Sequence, residues 1–558
     1  MEEIRSALQG VIQDVFGVAM QPVLTRPDEQ FGDYATNVAM QLAGRLNKPP
    51  REIAGQLADR LPAVLGEWIQ EATVAGPGFI NLRLHDAALQ RAMQNTVTIV
   101  PQDYKGQVVV LEYSDPNPFK VLHAGHLYQG AVGDAIANLV KRAGADLHVV
   151  NFGGDVGLHV ARNMWAILQD LGGEHPEKLA DIPVAERSTW LSRCYVAGTA
   201  AYEDNEQAKA EIIAINKHVY ELHQTGDHQS PFAEIYWTCR EWSYAYFDAF
   251  YARVGSHFEK YYPESETAPL GIKTVEEQLA KGVYEESDGA VVFRGEPYGL
   301  HTRVFINSNG LPTYEAKDVG LVMAKWRDYH FDRTIIITGN DIVEYMKVVL
   351  KSIEQFEPQL AKRTTHLTHG NVKLAGGVKM SSRKGNFLRA VDVLDIVAEV
   401  NREATGRDDE QAVLGAVKYA FLKHRMGADI IFDPKESVSL QGNSGPYLQY
   451  AHARARSILR KAGEQPAAAM EPLEAGERSL ARTISEYPEV MQMAVAELMP
   501  HHICTYLYEL AQAFNRFYEH NRVVDDPRQS TRLQLVEYYA AVLKDGLGLL
   551  GIAAPEQL

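Results

Sequence analysis

At 558 residues the chain is too long for one compact core, and roughly two to four domains are expected. A formal charge of −17 argues against a protein that coats nucleic acid non-specifically, although local basic patches on an acidic body stay open. No apolar run approaches the roughly 18 residues of a membrane span, the opening MEEIRSALQGV lacks a signal-peptide pattern, and Cys194, Cys239 and Cys504 form no CxxC pair, so the expectation is a cytoplasmic protein without a disulfide framework or a cysteine-rich zinc site.

Residues 1–100 read as a small α/β unit. YATNVAMQLAGRLN carries apolar residues at helical spacing, and Pro49-Pro50 opens a second helix, REIAGQLADRL, because proline suits a helix start and not its interior. ATVAGPGFINLRL is paired strand material broken at Gly76-Pro77-Gly78. From Gln107 the pattern changes. QVVVLEYS is a continuous β-branched run, as a parallel strand buried on both faces requires. It leads through a proline-rich turn into a helix on which Leu127, Ala131, Ile136, Leu139 and Val140 share a side, with Gly144 closing the end. DLHVVNFG follows as the next strand, which completes a βαβ unit of a nucleotide-binding sheet.

Long helical patterns then interrupt this layout from about 158 to 300, among them the aromatic-rich YWTCREWSYAYFDAFYARVG, read as packed helix core. YEESDGAVVF predicts a turn at Asp288-Gly289 leading to a strand. Strand character resumes at RTIIITGN, residues 333–340, and again in HLTHGNVKL. Beyond about residue 410 strands fade, and Ile503, Leu507, Leu510, Phe514 and Phe517 recur at three and four in a strong helix. The predicted fold is α/β: a Rossmann-type parallel sheet over 101–430 with the insertion at about 158–300, a small N-terminal α/β domain over 1–100 and a C-terminal α-helical bundle over 431–558.

Two segments carry chemistry. EYSDPNPFKVLHAGHL, residues 112–127, sets His123, Gly125 and His126 at a strand-to-helix turn, where unsatisfied N–H groups favour an anion. Gly125 lets a ligand approach closely, and two histidines can donate to phosphate oxygens as charge develops during in-line attack. VKMSSRKGNF, residues 378–387, gathers Lys379, Arg383 and Lys384 with Met380, Ser381, Ser382 and Gly385. A cationic, hydroxyl-rich loop of this kind suits a triphosphate and its departing pyrophosphate; standing alone it would read as a solvated basic loop.

HxGH followed about 250 residues later by such a loop resembles the signature pair of class I aminoacyl-tRNA synthetases. Within that class the chain is similar to the arginyl-tRNA synthetases almost end to end. FGDYATNVAM and GPGFINLRL resemble that family's additional N-terminal domain, EYSDPNPFKVLHAGHL its signature region and GLPTYEAKDVGL its Tyr-x-x-x-Asp segment; GNSGPYLQYAHARARSIL, YLYELAQAFNRFYEHNRV and GLGLLGI resemble its anticodon-binding domain.

The resemblance implies activation of L-arginine by ATP, with magnesium and no zinc, and transfer to tRNA(Arg) by a monomer. It implies that His123, His126, Lys120 and Lys379 are catalytic, and that Gly125, Met380, Ser381, Ser382 and Arg383 join them around ATP. Arginine is expected against Glu112, Ser114, Asn117, His123, Tyr314, Asp318 and Asn340, since an always-charged planar guanidinium calls for carboxylates. On the RNA side, Tyr447, Tyr450, Arg454 and Arg456 interleave aromatics with cations. The chain departs from the family pattern in places. Ser382 and Arg383 hold the last two places of the class's Lys-Met-Ser-Lys-Ser loop, and Lys120 ahead of HxGH is expected to supply the missing cation. Asn340 stands where some relatives have glutamine, Val156 where they often have tryptophan, and Leu558 where they ordinarily end on methionine.

Other readings make different demands. A different HxGH nucleotidyltransferase would need neither the N-terminal unit nor the helical domain. A non-catalytic tRNA-binding derivative would leave His123, Gly125, His126 and Lys379 free to drift, yet all four stand.

Overall fold

A computed structural model describes residues 2–375, 388–463 and 470–557. Near the N-terminus β1 (Tyr34–Thr36), β2 (Ile69–Ala75) and β3 (Phe79–Leu84) form an antiparallel sheet in the order β1-β3-β2. The helices Glu2–Phe16, Val38–Leu46 and Pro50–Leu65 cover it with buried Leu8, Leu42 and Leu57. The first of the helices expected here starts late. Tyr34–Thr36 pair with Ile80–Leu82, so Val38 is the first helical residue. Pro50 opens its helix as the sequence predicts.

The main sheet begins with β4 (Val108–Glu112), β5 (Asp146–Gly153) and β6 (Lys260–Pro263). A separate antiparallel sheet follows, formed by β7 (Glu285–Ser287), β8 (Ala290–Phe293) and β9 (Arg303–Ile306). The β7–β8 turn uses Asp288 at φ 50° and Gly289 at φ 75°, the left-handed pair that a tight hairpin needs. Two further strands, β10 (Arg333–Gly339) and β11 (Thr364–His369), rejoin the main sheet on the far side of β4. The order β11-β10-β4-β5-β6 is parallel throughout. From β4 the chain winds outward one way to β6, then returns to wind outward the other way. The reversal opens a crevice beyond the C-terminal ends of β4 and β10, the ordinary ligand position in an open α/β sheet.

The interruption expected over 158–300 is not one unit. The helices Leu158–Leu171, Arg187–Asp204, Glu206–Thr225 and Pro231–Val254 share a core that includes Trp190, Phe232 and Tyr236. The main sheet resumes already at β6, where Lys260–Pro263 pair with Val150–Gly153. Nor do strands stop at 410, because β12 (Val372–Leu374) pairs in parallel with β13 (Ile430–Phe432). These are strands of three or four residues, too short to show a period in the sequence.

The chain closes with helices Gly445–Ala462, Ala475–Ser485, Tyr487–Glu497, His501–His520 and Gln529–Leu549. The five apolar residues singled out on His501–His520 are all buried, as the three-and-four spacing requires. The N-terminal unit seats against this bundle through ion pairs, one buried and two half-buried: Arg478 meets Asp33 at 2.6 Å and Asp86 at 2.7 Å, and Arg26 meets Glu489 at 2.9 Å.

Candidate active site

The helix after β4 runs from Ala124 to Arg142 and is capped by His123. The Gly125 N–H donates to His123 Nδ1 at 3.1 Å, and the His123 N–H donates to His126 Nδ1 at 3.1 Å. Both Nδ1 atoms are therefore acceptors, and in the neutral rings the proton sits on Nε2. Burial, with Lys120 and His369 adding to it, lowers His123 to about 4. For His126 the cause is burial first, then His123, and the shift takes it well below the ordinary value. Near neutral pH the pair is two uncharged imidazoles with centroids 3.9 Å apart, each with an Nε2–H donor, beside the electropositive end of a helix. Only glycine fits at 125, since a Cβ would come within 2.9 Å of the His123 ring.

At the C-terminal end of β4, Glu112 is buried and accepts from Lys325 Nζ, itself wholly buried. Asp318 accepts from the Tyr345 hydroxyl, and burial, with Glu112 adding to it, lifts Asp318 to about 7. Asp115 takes the Phe152 N–H at 2.9 Å, and burial followed by Glu112 raises it well above the carboxylate range. Lys325 is paired with Glu112 and acts through its charge on Asp115 and Asp318, so ionising either of those two calls for a further cation. Tyr314, Asp318 and Lys325 follow one another at four and seven along the helix Tyr314–Tyr329, which puts them on one face. Tyr314 is the open member, with 57% of its surface exposed.

The structure separates other residues that the sequence grouped together. Asn117 Oδ1 accepts from the Gly154 N–H at 2.9 Å, which leaves its amide donors for a ligand. Ser114 is 2% exposed, and its hydroxyl meets the Tyr251 hydroxyl at 2.8 Å. Asn340 directly follows β10, with Nδ2 donating to the Gly427 carbonyl at 2.7 Å and Oδ1 remaining as the acceptor. Lys120 places Nζ 4.3 Å from the centroid of the Tyr195 ring, and burial pushes its pKa down. Val156 lies wholly buried in the core with Phe119 and Tyr236.

Lys379, Met380, Ser381, Ser382 and Arg383 lie outside the described residues. The chain re-enters the described region beside the histidines. Ala124 N–H donates to the Leu388 carbonyl at 2.9 Å, and Ala390 N–H to that of Leu122 at 2.8 Å.

In the helical bundle Tyr447, Tyr450 and Arg454 recur at three and four on Gly445–Ala462. The Arg454 guanidinium lies 4.6 Å over the Tyr518 ring, and Tyr508 stacks edge-on to Tyr447. Arg456 does not join this face. It sits about half a turn round from Tyr447 and is held by Glu556 at 2.5 Å.

Sequence reasoning missed Lys325, Tyr345, Asp115, Tyr508 and Tyr518. Lys325 carried a signal, its seven-residue spacing from Asp318; Tyr345 and Tyr518 come from separate helices and carried none.

Comparison with known proteins follows the same outline. A family model described as "tRNA synthetases class I (R), catalytic domain" matches residues 88–433. The "Arginyl tRNA synthetase N terminal domain" matches 2–84, and the "DALR anticodon binding domain" matches 448–558. A relative from Bacteroides fragilis named arginine–tRNA ligase is 29% identical over 97% of this chain and 96% of its own length. Among solved structures, the Thermus thermophilus arginyl-tRNA synthetase superposes with a TM-score of 0.82 at 27% identity over the whole of both chains. That of Plasmodium falciparum, at 20% identity and a TM-score of 0.81, shares the fold.

Proposed function

Because the chain belongs to the class I tRNA synthetases of the (R) type, we propose that it is an arginine–tRNA ligase working through an arginyl-adenylate. The observation that carries the site assignment is that a neutral histidine pair capping the helix after β4 and a group of buried carboxylates around Lys325 both belong to the C-terminal side of that strand. An arginine guanidinium entering there supplies the missing positive charge, with Asp318 as its principal partner and Tyr314 over its open side. Asn117 offers amide donors to the substrate carboxylate, and Asn340 Oδ1 offers an acceptor to the ammonium. Ser114, held by the Tyr251 hydroxyl, stands in the same loop.

In the first step an arginine carboxylate oxygen attacks the α-phosphorus of ATP, and the bond to the bridging oxygen breaks to release pyrophosphate. His123 and His126 donate Nε2–H bonds to the phosphate oxygens as charge develops, and Lys120 adds a cation from the flank. The family resemblance alone assigns Lys379, Met380, Ser381, Ser382 and Arg383 to ATP. Magnesium, an ion that keeps most of its water and binds through phosphates, would arrive on the triphosphate and balance its charge. In the second step the 2′-hydroxyl of the tRNA terminal adenosine attacks the carbonyl carbon, and AMP leaves.

Tyr447, Tyr450 and Arg454, with Tyr518, form the RNA-facing patch we assign to the bundle. We take the first step to require bound tRNA, and the protein to act as a cytoplasmic monomer. Charging of purified tRNA with each labelled amino acid tests the reading. Arginine alone should be esterified, and charging with another amino acid, or none, would overturn it.

A further inference from the structure

A buried run of polar contacts leads from the Glu112–Asn117 stretch to the end of the chain. Tyr113, 1% exposed, donates its hydroxyl to Asp134 Oδ1 at 2.6 Å. Asp134 lies on the helix that His123 caps, and its Oδ2 accepts from Ser256 Oγ at 2.7 Å. Lys418 Nζ stands 4.0 Å from that same oxygen and donates to the Gly551 carbonyl at 3.0 Å. The Tyr113 ring lies against Gly133, where a Cβ would come within 2.3 Å of it. Its carbonyl accepts from Asn151 Nδ2 at 3.2 Å.

What these contacts brace is an unrelaxed bend. Ser114 at φ 76° and Asp115 at φ 44° are consecutive non-glycine residues in the left-handed region, a conformation that persists only when the surroundings enforce it. Packing does not enforce it on every side, since a cavity of about 420 Å³ opens beside Tyr113, Asp134, His257, Lys418 and Gly551. Nor is the Asp134–Lys418 pair explained by stability: a buried ion pair is commonly no better than an apolar pair of the same size. Its distinctive property is direction, one cation and one carboxylate tying three separated segments to one place.

We propose that Asp134 and Lys418 are positioning residues for arginine. Through Tyr113 they hold the Ser114–Asp115 bend, and with it Glu112 and Asn117. Through the Gly551 carbonyl they make that geometry depend on the seating of the C-terminal tail. The proposal rests on the reading of Glu112–Asn117 as part of the arginine site.

The test is ATP–pyrophosphate exchange with tRNA present, rates being referred to active-site concentration, for Tyr113→Phe, Lys418→Met, their combination and Lys418→Arg, with Asn117→Ala alongside. Tyr113→Phe deletes one oxygen and keeps the ring on Gly133, so it reads out even if Lys418→Met fails to fold. The expected result for each single variant is an arginine KM raised about tenfold with the ATP KM within about twofold. The combination should be no more than about twofold worse than the worse single variant, and Lys418→Arg should recover most of the loss. A purely structural role would lower the active fraction and leave both KM values alone, and that result overturns the proposal, as does an ATP KM rising in step with that for arginine. If Asn117→Ala raises the arginine KM and Tyr113→Phe does not, the positioning claim falls alone. If neither does, the arginine reading of this loop falls with it.

Discussion

The backbone N–H of His123 donates to Nδ1 of His126 at 3.1 Å, and that bond decides which nitrogen of the second ring carries the proton. The Gly125 N–H does the same for His123. Two backbone donors at a helix start thus leave the proton of each neutral imidazole on Nε2. Replacing His126 by alanine should lower the exchange rate constant about 100- to 1,000-fold, the scale of losing one donor to developing charge. Because His123 titrates only at about 4 and His126 is also lowered, the pair should contribute no acid limb to the rate above about pH 5. An acid limb centred near 6.5 that disappears in His126→Ala would contradict this.

Asp318 makes the opposite prediction. Burial raises it to about 7, so the empty folded enzyme holds a proton there that the unfolded chain, with an ordinary carboxylate near 4, has already lost. Its contribution to folding is therefore full below about pH 4 and disappears as pH rises through about 7. Arginine needs the ionised carboxylate, so its KM should fall by up to about tenfold per unit as pH rises toward 7 and level off above it. Asp318→Asn should raise the KM and flatten that dependence. Steady-state arginine titrations across this range provide the check; an arginine KM indifferent to pH would remove Asp318 from the guanidinium site.

Lys325→Met strands the buried Glu112 carboxylate without its cation. Removing one partner of a buried pair ordinarily costs about 3–5 kcal/mol, and adding Glu112→Gln should return a large part of it. Urea unfolding of the single and double variants measures both numbers. Equal stability of Lys325→Met and the parent would mean that Glu112 is not relying on this partner.

On the RNA side, Arg454 and Arg456 should behave differently despite lying two residues apart. Arg454 shares a face with Tyr447 and Tyr450, whereas Arg456 is held by Glu556. Arg454→Ala should raise the tRNA KM about tenfold, and Arg456→Ala should leave it within about twofold. The reverse ranking in aminoacylation kinetics would move the interface to the other side of the helix.

What the sequence disclosed follows the physics of each signal. β4 was legible because a continuous β-branched run marks a strand buried on both faces; the helix after it was legible as a helix, but the single apolar side expected for it is not there, since it is buried nearly all round. The order β11-β10-β4-β5-β6 was not, because β6 is four residues long and lies beyond a long helical insertion. HxGH and the Tyr314–Asp318 spacing exposed part of the site. The Glu112–Lys325 pairing and the Ser114–Tyr251 contact were hidden, since each depends on which side chain another element presents. The Arg456–Glu556 pair was hidden for the same reason, its partner lying a hundred residues away in the C-terminal tail.

The most direct test of the central claim is ATP–pyrophosphate exchange by the purified protein with each amino acid, with and without tRNA. The account predicts exchange with arginine alone, appearing only when tRNA(Arg) is present. Exchange with arginine but without tRNA would keep the ligase and remove the coupling. Silence with arginine under both conditions, with tRNA still bound, would contradict the account.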